Sequence, residues 1–162
     1  LSKVLSPGLR VGWMIAPAEL LSRAVMCKQF SDAHTSTFAQ ATAAQYLKAG
    51  RMPATLDNVR KVYAVRAQTM CDALRQNLGD AISFVQPQGG LFVWASLTGA
   101  GGKVKDGSEL AKRAIEKGVA FVPGAPFFAN NPDPCAIRLS FATADVAKIK
   151  EGIERLGQAI RL

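Results

Sequence analysis

Residues 59–97 read VRKVYAVRAQTMCDALRQNLGDAISFVQPQGGLFVWASL, and the hydrophobic period changes inside that stretch. Val59, Tyr63, Met70, Leu74 and Leu78 recur at four residues, or seven across one gap. That is one apolar stripe on a helix of about twenty residues or more. Pro53 suits its first turn and Gly79 its end. Beyond Gly79 the period becomes that of strands. Ile82–Val85 is a short strand, Pro87–Gly90 a turn, and Leu91–Leu97 an apolar strand. A long helix feeding a small sheet places this part of the chain in the α+β class.

On the C-terminal side the same alternation continues. Thr98–Gly107 holds four glycines and three charges and reads as a loop; its Gly99–Gly102 run lacks the lysine and hydroxyl residue of a phosphate loop. Asp106 and Glu109 stand at capping-box spacing for a helix ending near Gly118. Val119–Val122 is a strand, the Pro/Gly-rich segment PGAPFFANNPDP a loop, and Ala136–Phe141 the last strand. Thr143 is expected to cap a final helix carrying Val146, Ile149, Ile153, Leu156 and Ile160. Four short strands with two helices imply a small sheet covered on one face.

On the N-terminal side, Pro7–Gly8 marks a turn and Arg10–Ile15 reads as a buried strand. Helices follow over Glu19–Phe30 and Thr37–Lys48, the second closed by Gly50. One strand with two apolar helices has no sheet to pack on. The chain is 162 residues long and begins with Leu1 rather than Met, which reads as processing or as a piece of something longer.

Composition narrows the function classes. Hydrophobic residues make up 49% and charged residues 20%, a globular balance that excludes overall disorder. No apolar run approaches the ~20 residues of a membrane span. The net charge is +8, but the basic residues are scattered and no aromatics alternate with them. This argues against nucleic acid and for solvated helix faces, with some positive charge turned to an anionic small molecule. Cys27, Cys71 and Cys135 are far apart and in no ligand spacing, so no metal is expected and the thiols read as mostly buried. His34 has no nucleophile pattern around it and reads as structural or capping.

Two arginines stand out. Arg10 follows Lys3 and the Pro7–Gly8 turn. A planar guanidinium near a lysine and a glycine turn provides for a phosphate, and the lysine could form a Schiff base with an aldehyde cofactor. An exposed lysine beside an ordinary ion-paired arginine is the plain alternative. Arg138 lies inside AIRLSF, on the face of Ala136 and Ser140 and opposite Ile137, Leu139 and Phe141. It could bind both oxygens of a carboxylate, or be an edge-strand arginine in solvent. Phe127 and Phe128 fit a pocket wall or, more simply, the core. Gly89–Gly90 permits a close backbone approach or a hairpin turn.

Taken in order, SK-x3-PGLR-x-GW, DAHTSTFAQ, QGGLFVW, AFVPGAPFF and AIRLSFAT resemble the C-terminal part of class I aminotransferases of PLP fold type I, closest to the 2-aminoadipate and kynurenine aminotransferase branch. The resemblance runs end to end. It implies an α/β fold comprising the end of a large PLP-binding domain (1–55), a connecting helix (56–79) and an α+β small domain (80–162). It implies that Lys3 matches the lysine that forms the Schiff base with pyridoxal 5'-phosphate and moves the substrate proton. Arg10 matches the arginine on the cofactor phosphate, with Ser2 assisting. Arg138 matches the arginine on the substrate α-carboxylate, with Gly90 and the Phe127 region near the substrate side chain.

The implied activity is ping-pong amino transfer between an amino acid and a 2-oxo acid, in a cytoplasmic homodimer of amino-acid metabolism. Leu1 departs from the Phe common among relatives. The family's pyridine-pairing Asp, ring-stacking aromatic, and Asn and Tyr near the 3-oxygen have no counterpart here, so these 162 residues alone are expected to be inactive. The alternative is the PLP-sensing aminotransferase-like domain of a transcriptional regulator.

Overall fold

The computed structural model describes residues 1–99 and 104–161; the Ala100–Gly102 part of the glycine run lies outside them. The chain divides into two compact units, Leu1–Arg60 and Lys61–Leu162.

The first unit contains a 3-10 turn at Pro7–Leu9 and helices α1 (Ala18–Ser31) and α2 (Thr37–Lys48). Ser36 caps α2, its hydroxyl accepting from Ala39 N at 3.4 Å. Gly50 follows with φ +67, the left-handed conformation that closes a helix. The expected strand at Arg10–Ile15 does not form. Arg10 itself is left-handed (φ 50, ψ 34), and Trp13 and Ile15 are 69% and 89% exposed. A strand needs a ladder partner, and the described residues of this unit contain no other strand. The helices follow suit: α1 buries none of its side chains, and α2 buries only Ala39 and Ala43.

Helix α3 runs from Met52 to Leu78, beginning in the first unit and ending in the second. Its stripe is the one the period predicts. Met70, Leu74 and Leu78 are buried, and Tyr63 meets Phe141 edge-on with centroids 6.2 Å apart.

The second unit is built on a four-stranded antiparallel sheet of β1 (Ile82–Phe84), β2 (Phe92–Leu97), β3 (Val122–Pro123) and β4 (Ala136–Ser140), in the order β1-β2-β4-β3. Helix α4 spans Gly107–Glu116 and α5 Val146–Arg161. Alternation sends Val93, Ala95, Leu97, Ile137 and Leu139 into the core, where they meet Leu74, Leu110, Ile153 and Leu156 from the helices. Burying one such aliphatic side chain stabilises by about 1.5–3 kcal/mol. Phe92, Trp94, Val122 and Ser140 remain on the other, uncovered face.

Helix α4 enters at close range. A Cβ on Gly107 would lie 2.8 Å from the Ala136 carbonyl oxygen, so glycine is what lets the helix start against β4. Asp106 caps α4 by accepting from Ser108 N (2.7 Å) and Glu109 N (3.2 Å). Glu109 does not complete the box; it pairs with Arg113 instead. Nor does Thr143 cap α5. Asp145 does, accepting from Lys148 N at 2.8 Å, being adjacent to the first helical residue. No described helix is long and apolar enough to cross a membrane.

Candidate functional site

Strand β4 is flanked by β2 and β3, so Arg138 sits on an interior strand and the edge-strand reading is wrong. Its cross-strand partners are Trp94 on β2 and Val122 on β3. Arg138 therefore projects from the uncovered face, the side opposite Ile137 and Leu139, as alternation requires. What surrounds it is aromatic. The guanidinium carbon lies 4.3 Å from the Phe92 ring centroid and 4.2 Å from that of Phe127. Trp94 extends the wall, 5.9 Å from both Phe127 and Phe128.

Phe127 and Phe128 are thus not core residues; at 50% and 38% exposed they line the sheet's open face. Their loop is brought there by Gly124, whose N–H donates to the Ala136 carbonyl at 2.6 Å. The short 3-10 turn Ala125–Phe127 then aims the rings at β4.

Among the described residues the Arg138 side chain makes no ion pair and no hydrogen bond, and its Nε is buried without an acceptor. A buried charged donor left unpaired is costly, by about 1–3 kcal/mol or more. Such a guanidinium, held on apolar faces, can receive an external anion, and its fork matches the geometry of a carboxylate.

Sequence reasoning named Arg138 but not Phe92 and Trp94. The signal was present in the alternation of LFVWASL. Only the register, with Trp94 opposite Arg138 and Phe92 opposite Ser140, brings those side chains to the arginine's face. Gly90 precedes β2 with φ +83, a conformation glycine alone adopts readily.

The second constellation lies in the first unit. Lys3, Arg10 and Ser2 line one open hollow of about 490 Å³, together with Leu1, Val4, Val11 and Gly12. Lys3 sits in a turn, with the N–H of Leu5 donating to the Leu1 carbonyl at 2.9 Å. The 3-10 turn and the left-handed Arg10 fold the arginine back over it. Arg10 Nη1 donates to Pro7 O at 3.3 Å and approaches Ser2 Oγ at 3.5 Å. Neither Lys3 nor Arg10 has an acidic partner among the described residues. Two cations and a hydroxyl around one hollow suit a phosphate and an aldehyde, so the donor set fits pyridoxal 5'-phosphate.

The remaining candidates stay outside both constellations. His34 is exposed and its Nδ1 lies 2.9 Å from Thr35 O, while Ser36 does the capping. Cys27 is exposed, contrary to the buried reading; Cys135 is half-buried and Cys71 fully buried. Burial pushes the Cys71 thiol above its ordinary value, with Arg75 opposing and Asp72 adding to the rise. No group of acids, histidines or cysteines among the described residues could hold a metal ion.

Comparison with known proteins matches residues 1–156 to the model of aminotransferase class I and II. A 2-aminoadipate transaminase of Thermus thermophilus is 43% identical over 160 residues, covering 99% of this chain and 39% of that protein. The crystal structure of an alpha-aminoadipate aminotransferase from Thermus thermophilus, complexed with N-(5'-phosphopyridoxyl)-L-leucine, superposes with a TM-score of 0.90 at 42% identity. It covers 99% of this chain and 40% of that one. An uncharacterized HTH-type transcriptional regulator of Bacillus subtilis is 32% identical over 162 residues, covering 99% of this chain and 32% of the regulator. The chain thus spans about two fifths of the length of the first two relatives.

Proposed function

Because the chain belongs to the class I and II aminotransferases, with the mixed helix-and-sheet architecture of the PLP-dependent members, we propose that its residues serve amino transfer between an amino acid and a 2-oxo acid in the whole protein. The observation that carries this is Arg138: a guanidinium on an interior strand, packed on aromatic rings, with no anionic partner among the described residues. The α-carboxylate is the group every amino acid and every 2-oxo acid share. A single arginine therefore serves both half-reactions.

Pyridoxal 5'-phosphate, when bound, supplies the electron sink for breaking the bond to the α-hydrogen. This chain's residues do the rest of the work assigned to it. Arg10 and the Ser2 hydroxyl would hold the phosphate, and Lys3 would anchor the aldehyde carbon. The free Lys3 amine would then carry the α-proton at Nζ between the substrate Cα and the cofactor carbon that bears the aldehyde. Arg138 fixes the substrate by its carboxylate, and Gly90, at the entry to β2, leaves room beside the substrate side chain. Within the chain we read 1–55 as the end of a large domain, 56–79 as a connecting helix and 80–162 as the small domain.

Borohydride reduction of the whole PLP-loaded protein tests this reading. The cofactor mass is expected on the peptide carrying Lys3, and Lys3→Ala is expected to lose both the label and amino transfer. A label on another lysine, or transfer undiminished in Lys3→Ala, would overturn it. The similarity to an HTH-type regulator favours a second reading, a PLP-responsive sensor. That reading predicts the same label with no net transfer to any 2-oxo acid.

A further inference from the structure

We propose that Phe92 and Phe127 are positioning residues for the candidate carboxylate receptor, holding the Arg138 guanidinium by their ring faces. The inference rests on the reading of Arg138 given above and extends it. A guanidinium carries five N–H donors on a flexible stem, and carboxylate recognition needs its plane fixed before the anion arrives. Among the described residues no carboxylate, carbonyl or hydroxyl accepts from the Arg138 side chain, and Nε is shut off from solvent.

What touches the group instead is the pair of rings, at 4.3 and 4.2 Å from the guanidinium carbon. They come from different places, Phe92 from β2 and Phe127 from the loop after β3, so the contact is not an accident of one strand's alternation. A ring face attracts a cation through its quadrupole and offers no lone pair to an N–H. It thus orients the guanidinium without neutralising it and without competing for the Nη donors. An acid in the same place would hold the group equally well but would have to be outbid by the substrate.

Both rings are partly exposed, 36% for Phe92 and 50% for Phe127, so neither is needed to fill the core. Trp94, directly across from Arg138 in register, is spent on Phe127 and Phe128 and supports the loop ring rather than the cation.

The test is the ratio of affinities for 3-phenylpropionate and its neutral amide, measured by calorimetry on the whole PLP-loaded protein. The ratio reports the carboxylate–arginine contact and cancels apolar contacts that both probes share. Phe92→Leu and Phe127→Leu are each expected to lower it about tenfold, and Phe127→Tyr to restore it. Replacement of either ring by pentafluorophenylalanine keeps the shape and reverses the quadrupole, so it lowers the ratio even if a leucine variant fails to fold. Equal losses for both probes would make the rings mere walls and overturn the proposal. An Arg138→Gln variant that lowers the ratio while the ring variants do not would overturn it and leave the carboxylate reading standing. An unchanged ratio in Arg138→Gln would remove both.

Discussion

A Cβ placed on Gly124 would stand 2.5 Å from the Cβ of Ala136, inside any allowed contact, while the Gly124 N–H donates to the Ala136 carbonyl at 2.6 Å. The loop bearing Phe127 is therefore seated on β4 by one hydrogen bond and the absence of one methyl group. Gly124→Ala must push the loop off the strand. The expected cost is about 1–3 kcal/mol in urea unfolding, as for other overpacked contacts. An unchanged midpoint would show that the seat is looser than the geometry implies.

Arg10→Gln removes the charge facing the first hollow while keeping a side chain that can hydrogen-bond. If the cofactor phosphate lies there, the dissociation constant for pyridoxal 5'-phosphate rises by about ten- to a hundredfold, the worth of charge-assisted hydrogen bonds. Equilibrium dialysis of the whole protein measures it. Retention of wild-type affinity would move the phosphate elsewhere.

Asp106→Ala takes away the acceptor for two backbone N–H groups at the start of α4. A loss of about 1 kcal/mol is expected, with Asp106→Ser recovering most of it. Thermal unfolding of the three proteins side by side decides the matter.

Cys71 makes stability depend on alkaline pH. Burial raises its thiol pKa above the unfolded value, so the folded chain holds the proton more tightly. Below the ordinary thiol range both states keep the proton and the contribution is complete. As the pH rises through the ordinary value toward the raised one, the unfolded chain deprotonates first and stability falls. The wild type is therefore expected to lose more stability than Cys71→Ala between about pH 8 and pH 10. Parallel slopes would count against it.

The second unit was largely legible because its information is local and periodic. The stripe through Met70, Leu74 and Leu78, the alternation of 91–97 and 136–141, and the acid at 106 each carry their structure in a few residues. Where the reading went astray, the deciding quantity was a partner. Arg10–Ile15 has strand composition, but no neighbouring strand in its unit takes up its N–H groups. Phe127 and Phe128 look like core by type and lie outside it by position, because the register and the Gly124 contact carry them to the face of Arg138. The cations at 3, 10 and 138 could be named from sequence. The aromatic surroundings of Arg138 needed more than the alternation of 91–97, since the register decides which residue of that strand lies opposite Arg138, 44 residues away.

The chain's two tryptophans fall one to each unit: Trp13, 69% exposed, three residues past Arg10, and Trp94, 41% exposed, opposite Arg138. Each unit of this stretch thus carries one indole of its own. Within these residues, Trp13→Phe leaves the indole opposite Arg138 and Trp94→Phe leaves the one past Arg10. Emission from the two units of the stretch becomes separable by light, with no label attached.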